Sequence, residues 1–297
     1  MSWPTLIPTK FKKLKIIETP SAMSEGKTII RCDMDKLTIW FLGKENLTLI
    51  DRGWNGEIME DSSEVKQENR YEIFNRFLES ITSEGIIQAE SVEVEGVSFP
   101  PPSNWKPKTE NLKLCNIDTE QVRAWITSSL SISRKFKKLE MDCWSVDEAV
   151  GPFIRDIQVS ERFSVLCESE MTDEELEKIE ALDISITSNE ITVEAAKKRL
   201  ENFLKFGKRS DELELRILHP QDFNARKDLL SKHWTVTKTK KDYEEYGEFE
   251  GKIIRGFENV HGIQDVREFV CEFYGDPMRV YCAVFERKES NLMMYPF

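Results

Sequence analysis

The chain has 297 residues and a formal net charge of −12, with 39% apolar and 32% charged residues. This composition is typical of a soluble globular protein and excludes an intrinsically disordered one. The acidic excess argues against nucleic acid as a partner, because phosphate binding requires a surplus of Lys and Arg. No run of about eighteen apolar residues occurs, so the sequence predicts no membrane span and no membrane partner.

Residues 1–85 begin with several short β-like runs, including residues 14–17 and 28–32. Residues 55–70 are rich in acidic and polar groups and predict an exposed loop. Residues 71–81 then carry apolar side chains at helical spacing, and Gly85 follows.

Residues 86–233 repeat a pattern in which two apolar residues flank one other residue. These pairs recur at irregular spacings of 17 to 31 residues: Val92/Val94, Leu112/Leu114, Leu139/Met141, Val165/Cys167, Leu182/Ile184 and Leu213/Leu215. Between most of them lies a predicted helix, at 119–130, 145–157, 171–180, 192–206 and 222–233. Strand–helix units at this period indicate a solenoid of the leucine-rich kind. An ordinary open α/β sheet, or part of an α/β barrel, would give a similar pattern.

The clearest unit spans residues 184–218. Thr192 is placed to cap a helix, and Gly207 is placed to end it. Alternating apolar residues precede and follow this helix, so the segment has the size of a single right-handed crossover unit.

Residues 234–297 consist of short alternating or apolar runs separated by Gly, Asp and Pro, which predicts antiparallel strands and turns. Since solenoids require caps over their open ends, we interpret this part as a cap. The predicted fold class is therefore α/β: an irregular leucine-rich-repeat-like strand–helix solenoid with a β-rich C-terminal cap. Its three parts are 1–85, 86–233 and 234–297.

The sequence offers no constellation for catalysis. His219, His233 and His261 do not lie at metal-ligand spacing, and no Gly-rich phosphate loop or Gly-x-Ser-x-Gly turn occurs. The sequence therefore predicts no catalytic, cofactor-binding or metal site, and no cofactor. The six cysteines include no Cys-x-x-Cys pair, which is typical of buried thiols in a reducing compartment, and the start of the chain does not resemble a secretory signal. This usage predicts a cytoplasmic or nuclear protein.

One surface prediction follows from the strand pattern. If the paired apolar residues face inward, the residues between and just after them lie on the opposite side of the sheet. These are Glu93, Glu95, Lys113, Glu140, Asp142, Glu168, Asp183, Ser185, Glu214 and Arg216. Seven of the ten are acidic and two are basic. Such a face would favour a basic protein partner through electrostatic complementarity, while the alternative is a merely solvated sheet face.

Two tryptophans in loop-like sequence, Trp54 and Trp105, are candidate interface anchors. The alternative is that each packs over the core.

Residues 202–207 read Asn-Phe-Leu-Lys-Phe-Gly and lead into the Leu-rich segment 211–215. Residues 171–192 join a predicted helix to an isoleucine-rich strand, and residues 278–297 contain several aromatic side chains. These features resemble the nematode F-box-associated domains of the second type. The resemblance is best from about Leu139 to Phe297, although the Trp that this family places before the Gly is absent here.

This resemblance implies a non-catalytic protein–protein interaction module that recruits the target of a ubiquitin ligase. Family members normally carry an F-box that docks on a Skp-type adaptor bound to a cullin, but no apolar two-helix F-box is visible in residues 1–20. Two alternatives remain open: a decoy that binds its partner without the ligase, and an enzyme on an open α/β sheet.

Overall fold

The computed structural model describes the chain over residues 10–20, 28–44, 47–55, 57–58, 63–81, 86–103, 105–117, 119–143, 156–208, 211–217, 235–244, 247–260, 263–274 and 278–285. Backbone contacts divide the chain into two compact units, Met1–Glu168 and Ser169–Phe297. The predictions for the three histidines and for the helix at 222–233 lie outside the described residues, as does nearly all of the helix at 145–157. The division into three parts at 85 and 233 stays a prediction.

The first unit begins with a meander of antiparallel strands. The strands are β1 (Lys10–Pro20), β2 (Thr28–Met34), β3 (Leu37–Lys44), β4 (Leu47–Trp54), β5 (Glu57–Ile58) and β6 (Glu64–Lys66). Both β5 and β6 pair with β4, so the segment predicted as a loop contains two short strands. Strands of two or three residues are too short to show an alternating pattern in the sequence.

Helix α1 (Arg70–Ser80) covers one side of this meander. Its N-cap, Asn69, accepts a hydrogen bond from the backbone N–H of Tyr71 at 2.8 Å. The rings of Phe74 and Phe77 lie 5.4 and 5.6 Å from the ring of Phe41, centroid to centroid. Aromatic contacts at such distances add to the hydrophobic stabilisation from burial, and they hold α1 against β3.

The glutamate of β1, Glu18, is a buried charge in this unit. Its carboxylate accepts hydrogen bonds from Thr28 Oγ1 at 3.1 Å, Tyr71 Oη at 2.9 Å and Arg70 Nη2 at 3.3 Å. It also accepts from the backbone N–H and the hydroxyl of Ser98, at 2.7 and 2.8 Å. The carboxylate therefore connects β1 and β2, helix α1 and the segment after β7.

The rest of the first unit is a parallel sheet with one described helix. Its elements are β7 (Ile87–Glu95), β8 (Pro107–Lys108), β9 (Asn111–Ile117), α2 (Thr119–Ser129), β10 (Lys135–Cys143) and β11 (Gln158–Glu168). Strand β1 joins β7, and the pairs β7–β9, β9–β10 and β10–β11 are parallel. An antiparallel arrangement here would have contradicted the predicted strand–helix repeats.

The second unit contains α3 (Asp173–Lys178), β12 (Asp183–Ser188), α4 (Val193–Phe206) and β13 (Glu212–Ile217). Strands β12 and β13 are parallel, so the strand–helix–strand segment predicted from residues 184–218 is confirmed. Thr192 caps α4 through the backbone N–H of Ala195, and the N–H of Gly207 donates to Phe203 O at 2.7 Å. Thr172 caps α3 in a capping box with Glu175.

The chain continues with antiparallel strands β14 (Thr235–Glu244), β15 (Gly247–Val260), β16 (Ile263–Tyr274) and β17 (Met278–Phe285). Strand β17 also pairs with β13. The mixed α/β class predicted for the chain is confirmed over the described residues.

Candidate functional site

The parallel sheet of the first unit carries charged side chains on the side opposite its apolar core. Leu14, Val92, Leu112 and Leu139 are fully or almost fully buried. Because side chains alternate along a strand, the residues next to them lie on the other side. We call the outward residues of β1, β7, β9, β10 and β11 the charged face.

Strand register aligns the charged face into rows across the sheet. Lys15 pairs with Glu93, Glu93 with Lys113, and Lys113 with Glu140. Opposite charges therefore lie on directly adjacent strands, an arrangement that favours the observed register.

The best-defined contacts in the charged face surround Glu93. Its carboxylate lies 2.8 Å from Lys15 Nζ and 3.2 Å from Lys13 Nζ, and Lys15 also lies 2.8 Å from Glu95. Burial alone would raise the pKa of Glu93, but the hydrogen bonds from Lys15 and Lys13 outweigh burial and hold the pKa below its usual value. For Lys15, burial lowers the pKa, yet the hydrogen bonds to Glu93 and Glu95 leave it raised overall.

Charge changes systematically along the strands of the charged face. One row in the N-terminal half of the sheet is basic or neutral and contains Lys13, Ser91, Asn111, Lys138 and Arg162. The row two residues later alternates in sign, and the row after that contains Ile17, Glu95, Cys115 and Asp142. The face is therefore basic at one end of the parallel strands and acidic at the other.

Six of the ten residues predicted for the sheet face belong to this unit. Glu93, Glu95, Lys113, Glu140 and Asp142 lie in the rows just described, and Glu168 ends β11. The structure thus brings together the part of the predicted face that lies on β7, β9 and β10. Glu140 is near Arg162, with 3.7 Å between Oε1 and Nε.

The other four predicted residues, Asp183, Ser185, Glu214 and Arg216, belong to the second unit. Ser185 pairs with Glu214, whose carboxylate accepts from Arg216 Nε at 2.8 Å. The prediction that Ser185 is exposed is wrong, because its accessible fraction is 6%. Strand β12 is buried on both sides over residues 184–188, and strand alternation alone cannot distinguish a strand covered on both sides from one covered on a single side.

Sequence reasoning missed the cations of the charged face. Lys13, Lys15, Lys138 and Arg162 lie among its acidic residues, and Arg31 of the neighbouring β2 pairs with Ile17. The acidic excess derived from the ten predicted residues does not hold for this sheet as a whole and is confined to the C-terminal strand ends. The sequence contained a pattern that could have revealed two of these cations. Lys13 and Lys15 alternate with Leu14 and Ile16, which places the two lysines on one side of β1.

An apolar strip continues the same side of the sheet into the meander. It consists of Ile29, Leu42, Leu49 and Val65, which pair consecutively across β2, β3, β4 and β6. Val65 is 62% exposed and the other three are partly exposed, whereas Phe41, on the opposite side of β3, packs against α1. A contiguous apolar surface next to charged residues is typical of protein-binding regions.

The two tryptophans singled out as anchors differ. Trp105 is buried and donates its indole N–H to Ser129 Oγ at 2.9 Å, so it packs in the core. Trp54 is 52% exposed at the end of β4 and stays a candidate anchor.

Cys32, Cys115, Cys167 and Cys282 are buried cysteines, and burial raises the pKa of Cys115 to about 11. Within the described residues, no group of three or more His, Cys, Asp or Glu is arranged to hold a metal ion. None of the helices in that same part of the chain has the length and apolar character needed to cross a membrane.

Comparisons with protein-family models, with curated proteins and with solved structures find no match for this chain.

Proposed function

We propose that this chain is a non-catalytic protein–protein interaction module that binds its partner through the charged face and the apolar strip. The observation that supports this function is their continuity on one side of one sheet, through the pairing of β1 with both β2 and β7. Stable protein interfaces combine a desolvated apolar centre with polar and charged surroundings. The apolar strip would supply the centre, and the charged face would set the orientation of the partner.

A basic segment of the partner would lie along the acidic end of the charged face. Glu95, Asp142 and Glu168 are placed near the C-terminal ends of β7, β10 and β11, and Asp142 is exposed. The basic row at the opposite strand ends would repel such a segment and would therefore fix its direction.

The proposal also includes the finer arrangement of the fold and the family. The parallel strand pairs, with α2 between β9 and β10 and α4 between β12 and β13, support an irregular leucine-rich-repeat-like solenoid with a C-terminal cap. The resemblance to nematode F-box-associated domains supports a role in substrate recognition for a ubiquitin ligase in the cytoplasm or nucleus. A Skp-type adaptor and a cullin would then be further partners.

The binding proposal is tested by affinity capture from native lysate, followed by a binary assay with each purified stoichiometric partner. Two double variants are compared with the unaltered chain: Glu140→Lys with Asp142→Lys in the charged face, and Leu49→Ser with Val65→Ser in the apolar strip. Glu190→Lys, an exposed site in the second unit, is the matched control. We expect both double variants to weaken partner binding at least tenfold and the control to leave it unchanged. Equal binding by all four proteins would contradict the proposal.

Ligase coupling is tested separately with a purified Skp-type adaptor. Direct binding of the adaptor to the chain would support a substrate receptor. A partner that binds the charged face, without adaptor binding, would instead support a decoy uncoupled from the ligase.

A further inference from the structure

The second unit contains a pocket between α3 and α4. Its volume is about 140 Å³, and its lining residues are Leu176, Glu177, Ala195, Lys198, Arg199 and Asn202. Leu176, Ala195 and Arg199 are buried, whereas Glu177, Lys198 and Asn202 are exposed. The pocket therefore has an apolar and cationic interior with a polar rim. A cavity of about 150 Å³ is large enough to admit benzene.

Arg199 is the unusual member of this lining, because it is a buried cation. Its accessible fraction is 7%. Its guanidinium donates from Nη1 to Ile179 O at 3.0 Å and from Nη2 to Ala181 O. Nε is buried without a hydrogen-bond partner, and no carboxylate of the described chain pairs with the guanidinium.

An unpaired buried charge is unfavourable, since the protein interior replaces only part of the lost hydration. Burial accordingly lowers the pKa of Arg199 to about 10. The side chain still carries its charge at neutral pH, so Arg199 brings to the pocket lining a planar cation that no carboxylate of the described chain neutralises. A guanidinium of this kind matches the geometry of a carboxylate.

We propose that this pocket binds a small carboxylate compound. The carboxylate would face Arg199, and the apolar part of the compound would contact Leu176 and Ala195. The side-chain amide of Asn202 would offer a further hydrogen bond at the rim.

The rim also indicates why a carboxylate is favoured over an inorganic dianion. Glu177 Oε1 lies 2.7 Å from Lys198 Nζ, so the nearest exposed cation is already paired. A dianion such as phosphate would be repelled by Glu177 and would gain nothing from the apolar interior. A singly charged ligand with an apolar body satisfies both parts of the lining.

This site lies wholly within the second unit and uses no residue of the charged face or the apolar strip. Its failure would leave the proposed protein-binding function unaffected, and the converse also holds.

The test is isothermal titration of the full chain with benzoate, with its neutral isostere benzamide, and with inorganic phosphate. We expect benzoate to bind at least tenfold more tightly than either of the other probes. Equal binding of benzoate and benzamide, tighter binding of phosphate, or no binding of benzoate to the folded chain would overturn the proposal.

Two substitutions identify the site. Arg199→Lys keeps the charge but not the planar fork, so we expect at least a tenfold weaker affinity for benzoate. Glu177→Gln removes the competing carboxylate and releases Lys198, so we expect a severalfold tighter affinity. The Glu177→Gln result and the comparison with benzamide decide the question if Arg199→Lys does not fold. Unchanged affinity in Glu177→Gln would place benzoate elsewhere on the chain and contradict the site.

Discussion

Glu18 in the first unit and Arg199 in the second are both buried charges, with accessible fractions of 6% and 7%. Glu18 receives hydrogen bonds from Arg70, Tyr71, Thr28 and Ser98, so a cation and several neutral donors surround it. Arg199 donates to two backbone carbonyls and meets no opposite charge within the described chain.

The difference shows two ways in which a fold retains a buried charge. A countercharge from the same chain satisfies the group and ties distant segments together, which is a structural role. Carbonyl dipoles satisfy the group only in part, because they provide no full countercharge. The second arrangement leaves the charge of Arg199 without a full countercharge in the described chain.

Removing Glu18 should have the largest effect on stability. Glu18→Ala leaves the partly buried Arg70 without its countercharge and removes the acceptor for the donors of Tyr71 and Ser98, so we expect the free energy of unfolding to fall by about 3–5 kcal/mol. Urea unfolding followed by the fluorescence of the buried Trp105 and Trp125 measures the change. Glu90→Ala, an exposed position on β7, should shift the same curve by less than about 0.5 kcal/mol. Equal shifts for the two variants would show that the Glu18 contacts do not stabilise the unit.

Arg199→Met should have a smaller effect. Methionine fills similar space and leaves no charge behind, so the cost is that of two carbonyls that lose their donor, about 1–3 kcal/mol. Thermal unfolding of this variant beside Glu18→Ala checks the order of the two effects. A loss as large as that of Glu18→Ala would mean that the carbonyls of Ile179 and Ala181 satisfy the guanidinium fully.

Glu93 lies between these extremes, because it is paired but only partly buried. Its pKa in the folded protein is lowered below the unfolded value of about 4.3. Its contribution to stability is therefore complete above the unfolded pKa and is lost as pH falls through the folded pKa. We expect Glu93→Gln to cost about 1 kcal/mol at pH 7 and nothing measurable below both pKa values, as measured by urea unfolding across that range. A cost that does not change with pH would contradict the role of the ion pairs.

The exposed pair of Glu177 and Lys198 should contribute least. Solvent screens both side chains, so Glu177→Gln should change the free energy of unfolding by less than about 1 kcal/mol. Thermal unfolding without ligand measures this value. A small change allows the altered affinity for benzoate in this variant to be attributed to binding and not to stability.

Local sequence was sufficient for much of the fold. Thr172 and Thr192 precede acidic first turns and cap α3 and α4. Such caps can be predicted from the sequence, because a capping hydrogen bond joins residues only two or three positions apart. The alternation of Leu213 and Leu215 with Glu214 predicted a strand for the same reason. The periods of 2 and 3.6 residues are properties of adjacent side chains and need no knowledge of the remaining chain.

The candidate site was predictable only in part. The alternation placed Glu93 and Glu140 on one side of their strands, as the structure has them. It did not place Lys15 beside Glu93, because that contact joins residues 78 positions apart. Register between distant strands is set by the packing of the whole sheet. The sequence therefore predicted a uniformly acidic face, whereas the observed face has basic side chains towards one end of the strands and acidic side chains towards the other.

The amino-acid sequence by itself determined most of the longer strands and helices of the described chain, the capping residues of α3 and α4, and which side chains alternate. Tertiary structure alone decided which strands pair, that Ser185 is covered on both sides of its strand, and that Glu18 meets Arg70 while Arg199 meets only carbonyls. The physical reason is range: propensity, capping and alternation act over a few residues, whereas burial and charge pairing depend on segments that only folding brings together.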